Sequence, residues 1–406
     1  MAFPWGMEAL AVHIRGITYS LATAGLLALA ACSSSSTTSS APAAGGSSTA
    51  GSASASTTSC TTSIGIMSPN TGPVPNLGTE QRDFARLAVQ MDNAANHTNI
   101  TLVEGDTQLD PKQATTVAQQ FTSNNAIVAT VGPAGSHEII AVGPLMARAG
   151  MAFISGSATR TDLTQTGANP TFFRVVANDS VQGPQDANYI VQNLKPKALM
   201  IIDDQEAYST GLVAVMTPIF QQAGIKVDHE SISQKLTDFS AIVAKLTADT
   251  SVIVTPFQVA SQAQQLGRDL QQQHKNVTIF GTDGTYDTKA FTIPGSYVSS
   301  FGPDITQMPD DATVAAAAAT AHPGFGTFGP PTFVATHVVD EAIASVCQAG
   351  QTPSRANVLA AIKQTNESTS LLGHPISFDP HGEVVGGKFF LFKIDATGKY
   401  TNVANP

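Results

Sequence analysis

The sequence has few charged and aromatic side chains. Only 12% of its 406 residues are charged and 6% are aromatic, and it contains one Trp and three Cys. Basic residues are outnumbered by acidic ones, 20 against 30, which gives a formal net charge of −10. This balance argues against a partner with dense negative charge, such as nucleic acid or an anionic membrane surface.

The sequence also lacks the motifs of common enzyme and metal sites. It has no C-x-x-C, no Walker phosphate loop and no G-x-S-x-G elbow, and its nine His are scattered without ligand spacing. Ser136 and His137 do not form a nucleophile–base pair, because adjacent side chains on a helix point apart. Residues 324–329 match G-x-G-x-x-G, but prolines flank them instead of a strand and a helix, so a surface loop is expected. We therefore expect no enzyme activity, no metal and no cofactor.

Residues 1–31 predict an export signal. An apolar run over residues 17–31 is too short for the roughly 20 residues that span a bilayer, but it suits a signal peptide. The run ends in Leu-Ala-Ala-Cys at Cys32, which resembles the bacterial lipobox, whose cysteine is lipidated. Because the residues before Met7 are poor signal-peptide material, the start codon is left open between Met1 and Met7.

Residues 32–59 predict a lipidated Cys followed by a disordered tether. After Cys32 this segment contains only Ser, Thr, Ala, Gly and one Pro, and a flexible coil of this length reaches about 30 Å. The protein is thus expected outside the cytoplasm, attached to the membrane through the lipid alone. Cys60 and Cys347 remain, and they form either a disulfide or two buried thiols.

The rest of the chain predicts an α/β fold. Short apolar runs rich in β-branched residues alternate with segments of helical period, which is typical of parallel sheets covered by helices on both faces. About 345 residues are too many for one compact core, so we expect two lobes. The predicted strands are residues 63–67, 100–103, 126–131, 152–154, 198–202, 251–254, 277–280, 375–378 and 387–394.

The residues that follow these strands are the candidate site, because ligands bind at the carboxyl ends of parallel strands. Ser136 is expected to cap a helix whose N-terminus attracts anions, and the turn at 155–159 adds hydroxyls beside it. On later strands Tyr208 and Phe257 offer aromatic walls and Asp283 offers a carboxylate. One lobe would hold an anion and the other a cation, which fits a zwitterion of the amino-acid type. Taken singly, a Ser or Thr after a strand is more often a plain helix cap, Tyr208 is compatible with a surface aromatic, and Asp283 with the start of a turn. Only their joint placement at strand ends favours a binding site.

Five segments in order resemble the periplasmic leucine/isoleucine/valine-binding proteins. They are residues 64–73, 154–164, 173–183, 281–284 and 377–382, and the resemblance extends over residues 62 to 400. It implies a two-lobed type I periplasmic-binding-protein fold of the Venus-flytrap kind. The first lobe would comprise residues 60–177 and 302–377, and the second residues 178–301 and 378–406, with crossings near Val176, Phe301 and Phe378.

The resemblance also implies roles for individual residues. Ser136 and Thr159 would hold the ligand carboxylate, while Thr159 and the carbonyl of Ser157, next to Ala158, would meet the ammonium. Tyr208 would close over the ligand, with Phe257 near its side chain. Asp283 stands where the family usually has Glu, and Leu77 where it is often aromatic, so the exact ligand stays open.

These observations predict a monomeric solute-binding lipoprotein that delivers an amino-acid-like ligand, such as a branched-chain or other aliphatic amino acid, to the permease of an ABC transporter. A sensor that reports its ligand to a membrane signalling protein is one alternative. Amides, urea-like solutes and aromatic acids remain as alternative ligands. A lipoprotein hydrolase is a third class, against which the missing catalytic motifs argue.

Overall fold

The computed structural model describes residues 60–165, 167, 169–308 and 311–404. These residues belong to one compact unit. The predicted signal peptide, the lipidated Cys32 and the tether all lie outside the described residues. Within the described part, none of the helices combines the length and the apolar character needed to cross a membrane.

The first lobe contains a parallel sheet of five strands in the order β2-β1-β3-β4-β5. Its strands are β1 (Thr61–Ser68), β2 (Asn99–Asp106), β3 (Ile127–Val131), β4 (Ala152–Ser155) and β5 (Phe172–Arg174). The helices between them are α1 (Pro75–Asn96), α2 (Pro111–Ser123), α3 (Ser136–Arg148) and α4 (Asp162–Gln165). All residues of β3 and β4 are buried, as expected for strands covered on both faces.

The chain then crosses to a second lobe and builds most of a second sheet. It forms, in chain order, α5 (Asp179–Tyr189), β6 (Ala198–Asp203), α6 (Ala207–Gln222), β7 (Lys226–Ser231), α7 (Ser240–Ala244), β8 (Thr250–Thr255), α8 (Ala260–Gln272), β9 (Thr278–Gly281) and β10 (Tyr297–Ser300). A π-helical turn, Ile190–Leu194, extends α5, and a 3-10 turn, Asp283–Thr285, follows β9.

After β10 the chain returns to the first lobe. It adds a 3-10 turn (Ile305–Gln307), α9 (Ala312–Ala321), α10 (Gly329–Gln348), α11 (Arg355–Ile362) and a small pair of strands, β11 (Asn366–Glu367) and β12 (Ile376–Ser377). Helix α10 packs along α1, and both cover the first sheet.

The last two strands complete the second sheet. They are β13 (Phe390–Ile394) and β14 (Tyr400–Ala404), both antiparallel to their neighbours, and the strand order is β14-β13-β10-β9-β8-β6-β7. We expected the chain to leave the first lobe near Phe378. Val384 and Phe389 still pack in the core of the first lobe, and the second sheet is joined at Phe390.

Two covalent or ionic contacts tie distant parts of the first lobe together. Cys60 and Cys347 form a disulfide with a Cα–Cα distance of 5.7 Å, which is the first of the two alternatives left open by the sequence. Arg174, fully buried at the end of β5, makes a salt bridge of 2.6 Å to Glu383. The guanidinium also donates to the carbonyls of Ala158 and Arg160, so it fixes the crossing segment to the turn after β4.

Candidate functional site

Two hydroxyl groups form the first-lobe wall of the cleft. Ser136 starts α3 directly after β3, and its Oγ accepts from the N–H of Arg160 at 3.3 Å. Ser157, in the turn after β4, donates to the carbonyl of Ala134 and accepts from the amide of Gln81, both at 3.0 Å. Gln81 lies on α1, so strand ends do not reveal it; it lines neither of the two cavities of the cleft but orients the hydroxyl of Ser157.

The prediction that Ser136 caps α3 is wrong. Gly135 is the N-cap residue and Ser136 is the first residue of the helix. The N–H of Gly135 donates to Glu138 Oε2 at 2.7 Å, and this leaves the hydroxyl of Ser136 to turn toward Arg160. The N-terminus of α3 still points its free amides at the cleft.

Ala158 and Thr159 follow Ser157 but are less accessible. Ala158 packs in the core of the first lobe, and Thr159 is fully buried. The carbonyl of Thr159 accepts from the N–H of Asp179 at 2.8 Å across the crossing. Its hydroxyl is in hydrogen-bond contact with the Asp179 carboxyl, and Thr159 does not line the cavity between the lobes.

A tyrosine and a carboxylate form the opposite wall. Tyr208, in the first turn of α6, donates its hydroxyl to Asp283 Oδ1 at 2.7 Å and lies 2.6 Å from Thr282 Oγ1. The N–H of Gly284 in turn donates to the tyrosine oxygen at 3.2 Å. Burial raises the pKa of Asp283 to about 6, although the bonds from Tyr208 and Gln182 oppose the shift.

Two further carboxyl groups lie behind Asp283, and sequence reasoning missed both. Asp179 and Asp186 are fully buried on α5, and burial together with the negative charge of Asp283 raises the pKa of Asp179 to about 8. Burial likewise raises the pKa of Asp186 well above its ordinary value, although its Oδ2 accepts from Ser299 Oγ at 2.7 Å. No salt bridge reaches these three acids from any residue that the structure describes.

The two walls enclose a small cavity. Its volume is about 30 Å³, which is the space of one water in the liquid, and its lining includes Leu77, Ser136, Ser157, Tyr208 and Asp283. Five of the eight predicted ligand residues therefore meet at one cavity. A solute of amino-acid size needs the lobes to move apart before it can enter.

A larger cavity of about 190 Å³ adjoins the small one, and Leu77, Gln258, Gly284 and Phe328 line both. Phe257 does not reach either of them. Its side chain is fully buried against Phe239 in the core of the second lobe, and the next residue, Gln258, faces the cavity in its place.

The glycine-rich loop, residues 324–329, closes one side of the larger cavity. The carboxylate of Glu80 accepts from the N–H groups of Gly326, Phe328 and Gly329 at 2.7, 3.0 and 2.6 Å. An internal carboxylate thus occupies the backbone donors that a phosphate would need in a nucleotide site. Burial raises the pKa of Glu80 despite these three bonds.

The lobes touch each other beside the small cavity. Arg160 donates to the carbonyl of Ala207 at 2.6 Å, and His137 Nδ1 lies 3.6 Å from the Glu206 carboxylate. Each contact joins a first-lobe side chain to the start of α6 in the second lobe. The structure is therefore that of a closed clamp.

The comparisons with known proteins agree with this architecture. Residues 61–399 match the model of the family described as periplasmic binding protein. The chain belongs to this family. The family is described as one of binding proteins, not of enzymes.

Several relatives of this binding protein carry a ligand in their names. The Leu/Ile/Val-binding protein BraC3 of Rhizobium johnstonii is 27% identical over 342 residues, which cover 82% of the chain and 92% of the relative. The leucine-specific-binding protein of Salmonella typhimurium is 26% identical over 350 residues, covering 83% and 92%.

Solved structures show the same two-lobed type I fold. The branched-chain amino acid transporter substrate-binding protein LivJ from Streptococcus pneumoniae, in complex with isoleucine, has a TM-score of 0.74 at 22% identity. It covers 85% of this chain and 100% of its own. A solute-binding protein of R. palustris in complex with benzoate also has a TM-score of 0.74, at 17% identity, covering 85% and 96%. The predicted fold class is thereby confirmed.

Proposed function

We propose that this protein captures a small amino acid, of the branched-chain or another aliphatic type, and delivers it to the permease of an ABC transporter. It acts outside the cytoplasm as a monomer. Closure of the two lobes over the ligand excludes water and strengthens each polar contact within the cleft.

The observation that carries this proposal is the opposite polarity of the two cavity walls. Ser136, the first residue of α3, lies at the positive end of the helix dipole and suits a carboxylate. On the opposite side of the cavity, Tyr208 and Asp283 suit an ammonium group. A zwitterion satisfies both walls at once.

The buried acids behind Asp283 favour an amino acid over a simple acid. Asp179, Asp186 and Asp283 place three carboxyl groups in a low-dielectric region to which no described cation is bonded. Because the raised pKa values favour the protonated forms of Asp179 and Asp186, Asp283 carries most of the negative charge in this region. A ligand with only a carboxylate would add a second negative charge nearby, whereas an ammonium group compensates that of Asp283. Benzoate, the ligand named for one structural neighbour, is therefore the less favoured candidate.

The membrane attachment in this proposal rests on the sequence. Lipidation of Cys32 would anchor the protein to the outer face of the bacterial cell membrane, and the segment after it would let the clamp move within about 30 Å. A single acyl chain binds membranes only marginally, so a multiply acylated cysteine is required. Mass spectrometry of the protein from membranes, and its solubilisation after Cys32→Ala, test this part separately.

The ligand is tested by a thermal-shift screen, followed by calorimetry on the solutes that stabilise the protein. Leucine, isoleucine and valine are expected to raise Tm. At a concentration a hundredfold above its Kd, a ligand raises the free energy of unfolding by about 2.7 kcal/mol. Benzoate, acetamide and urea serve as the competing ligand classes. If only these shift Tm and no amino acid does, the amino-acid assignment is wrong.

A further inference from the structure

A group of metal-ligating side chains lies in the first lobe, away from the cleft. Asp92 of α1 and His337 and Glu341 of α10 place one ligand atom each within 4.8 Å of one another. Since Glu80 of α1 lines the larger cavity and a helix rises 1.5 Å per residue, Asp92 lies about 18 Å further along the helix. The group is therefore separate from the amino-acid site.

The three residues face each other because of the helical period. His337 and Glu341 are four residues apart on α10, so their side chains share the face that packs on α1. His337 Nδ1 lies 2.9 Å from Asp92 Oδ1, and its Nε2 lies 3.9 Å from Glu367 Oε2 on β11. Glu341 accepts from the Asn96 amide at 2.6 Å, which holds its carboxylate beside the group.

A second observation points to a missing cation. Asp340, on the same helix, is fully buried, and its carboxyl lies within hydrogen-bond reach of the Asp92 carboxyl, so two acceptor groups face each other. Asp92 and His337 are the charged groups that act on it most strongly, so it is directed at the same space. No donor among the described residues reaches Asp92 Oδ2 or either oxygen of Asp340, so a proton or a cation has to lie between the two carboxyl groups.

Acidic groups outnumber basic ones around His337, although burial raises the pKa of Asp340 and of Glu367 and so favours their protonated forms. Four carboxyl groups, those of Asp92, Asp340, Glu341 and Glu367, surround one imidazole, and no Lys or Arg of the described chain makes a salt bridge to any of them. An imidazolium supplies one positive charge, whereas a divalent cation supplies two. Binding of such an ion would also give Asp92 Oδ2 a positively charged partner.

We infer that Asp92, His337 and Glu341 bind a divalent transition-metal ion of the zinc type, with Glu367 at the open side. One imidazole and carboxylates are a donor set that zinc accepts, while Mg²⁺ and Ca²⁺ prefer oxygen alone. The ion can enter from solvent, because the side chains of His337 and Glu367 are 18% and 31% exposed. It would join α1 to α10 and so stabilise the first lobe.

Titration of the full-length, untagged protein with zinc tests the inference. After treatment with EDTA and dialysis, calorimetry is expected to show one zinc site, and zinc is expected to raise Tm, whereas MgCl₂ at the same concentration leaves it unchanged. Cobalt should add visible absorption bands of a bound ion. His337→Gln, which can still donate to Asp92, is expected to weaken zinc binding at least tenfold.

The matched control is His229→Gln in the second lobe. His229 pairs with Asp203 at 2.6 Å but belongs to no group of three metal-ligating residues in the described chain. This variant should bind zinc as the unaltered protein does. The inference is overturned if zinc produces neither heat nor a Tm shift, or if His337→Gln binds it equally well. A gain in stability from Asp340→Asn, without any zinc binding, would identify a proton shared by Asp92 and Asp340 instead.

Discussion

The two walls of the cleft differ in charge and in the groups that they offer to a ligand. The first-lobe wall is neutral and offers hydroxyls and the N-terminus of a helix, at Ser136 and Ser157. The second-lobe wall is acidic and offers Asp283, oriented by Tyr208 and backed by Asp179. Burying the neutral wall without a ligand costs little free energy. Burying the acidic wall costs more, because its carboxyl groups lose their hydration.

This difference assigns a direction to the ligand. Neutral donors bind an anion without needing a charge of their own, and the anion then interacts with the dipole of α3. The acidic wall gains most from a cation, which compensates charge that the protein has already buried. Changes on the acidic wall should therefore have larger effects, and effects that depend more on the ligand, than changes on the neutral wall.

The largest effect is expected for Asp283→Asn. The amide retains an acceptor for the Tyr208 hydroxyl but removes the negative charge that faces the ligand ammonium. Loss of one partner of a buried charge pair costs 2 to 5 kcal/mol, so we expect about a hundredfold weaker leucine binding in calorimetry.

The matching ligand is 4-methylpentanoate, which is leucine without its amino group. Its affinity should change by less than about threefold in Asp283→Asn, because it makes no charge contact with this wall. Equal losses for leucine and 4-methylpentanoate would show that Asp283 shapes the cleft and does not recognise the ammonium.

A smaller effect is expected for Ser136→Ala on the neutral wall. A hydrogen bond to a charged group contributes 1.5 to 3 kcal/mol, so both leucine and 4-methylpentanoate should bind about tenfold more weakly or worse. Thr122→Ala is a suitable control, because its hydroxyl bonds only within α2. A loss confined to leucine would place the carboxylate elsewhere.

The neutral and acidic walls also differ in how far sequence predicts them. Ser136 and Ser157 follow buried strands of the first sheet, and Tyr208 and Asp283 follow strands of the second. Each pair could therefore be predicted to meet at the carboxyl edge of its own sheet. Asp179 stands in the first turn of a helix after a crossing, where an acid is usual for reasons of helix stability alone. Its burial depends on the contact between distant segments, which no local pattern records.

The same reasoning separates the predicted from the missed strands. Five of the predicted runs, those of β1, β3, β4, β6 and β8, are largely buried. In contrast, β7 has no buried residue and carries Asp228, His229 and Glu230. β10 has four residues, two of them Ser, which is too short for a pattern. Phe257 and Gln258 show a related limit, since neighbouring residues after a strand face opposite sides and composition favours the aromatic.

An effect of about tenfold is expected from pH. Burial raises the pKa of Asp283 to about 6, and binding of an ammonium requires its ionised form, so leucine affinity should rise about tenfold from pH 5 to pH 7. The raised pKa means that the folded state binds more protons than the unfolded state between about pH 4 and 6. The stability of the unliganded protein should therefore fall as pH rises through this window. Calorimetry on Asp283→Asn should give a flat profile; a slope as steep as before would assign the titration to another group.

The smallest effect is expected for Glu138→Gln, which tests whether the first-lobe wall is uncharged at pH 7. Burial raises the pKa of Glu138 to about 8, so the side chain is largely uncharged at pH 7, and the anion-binding end of α3 is free of an internal negative charge. The amide substitution should then change leucine affinity by less than about threefold at pH 7. At pH 9 the two proteins should separate, because Glu138 ionises beside the carboxylate site and weakens binding in the unaltered protein alone. Calorimetry of both proteins at the two pH values cancels the titration of the ligand itself. A difference already present at pH 7 would mean that Glu138 is charged in the folded protein and that the first wall is not neutral.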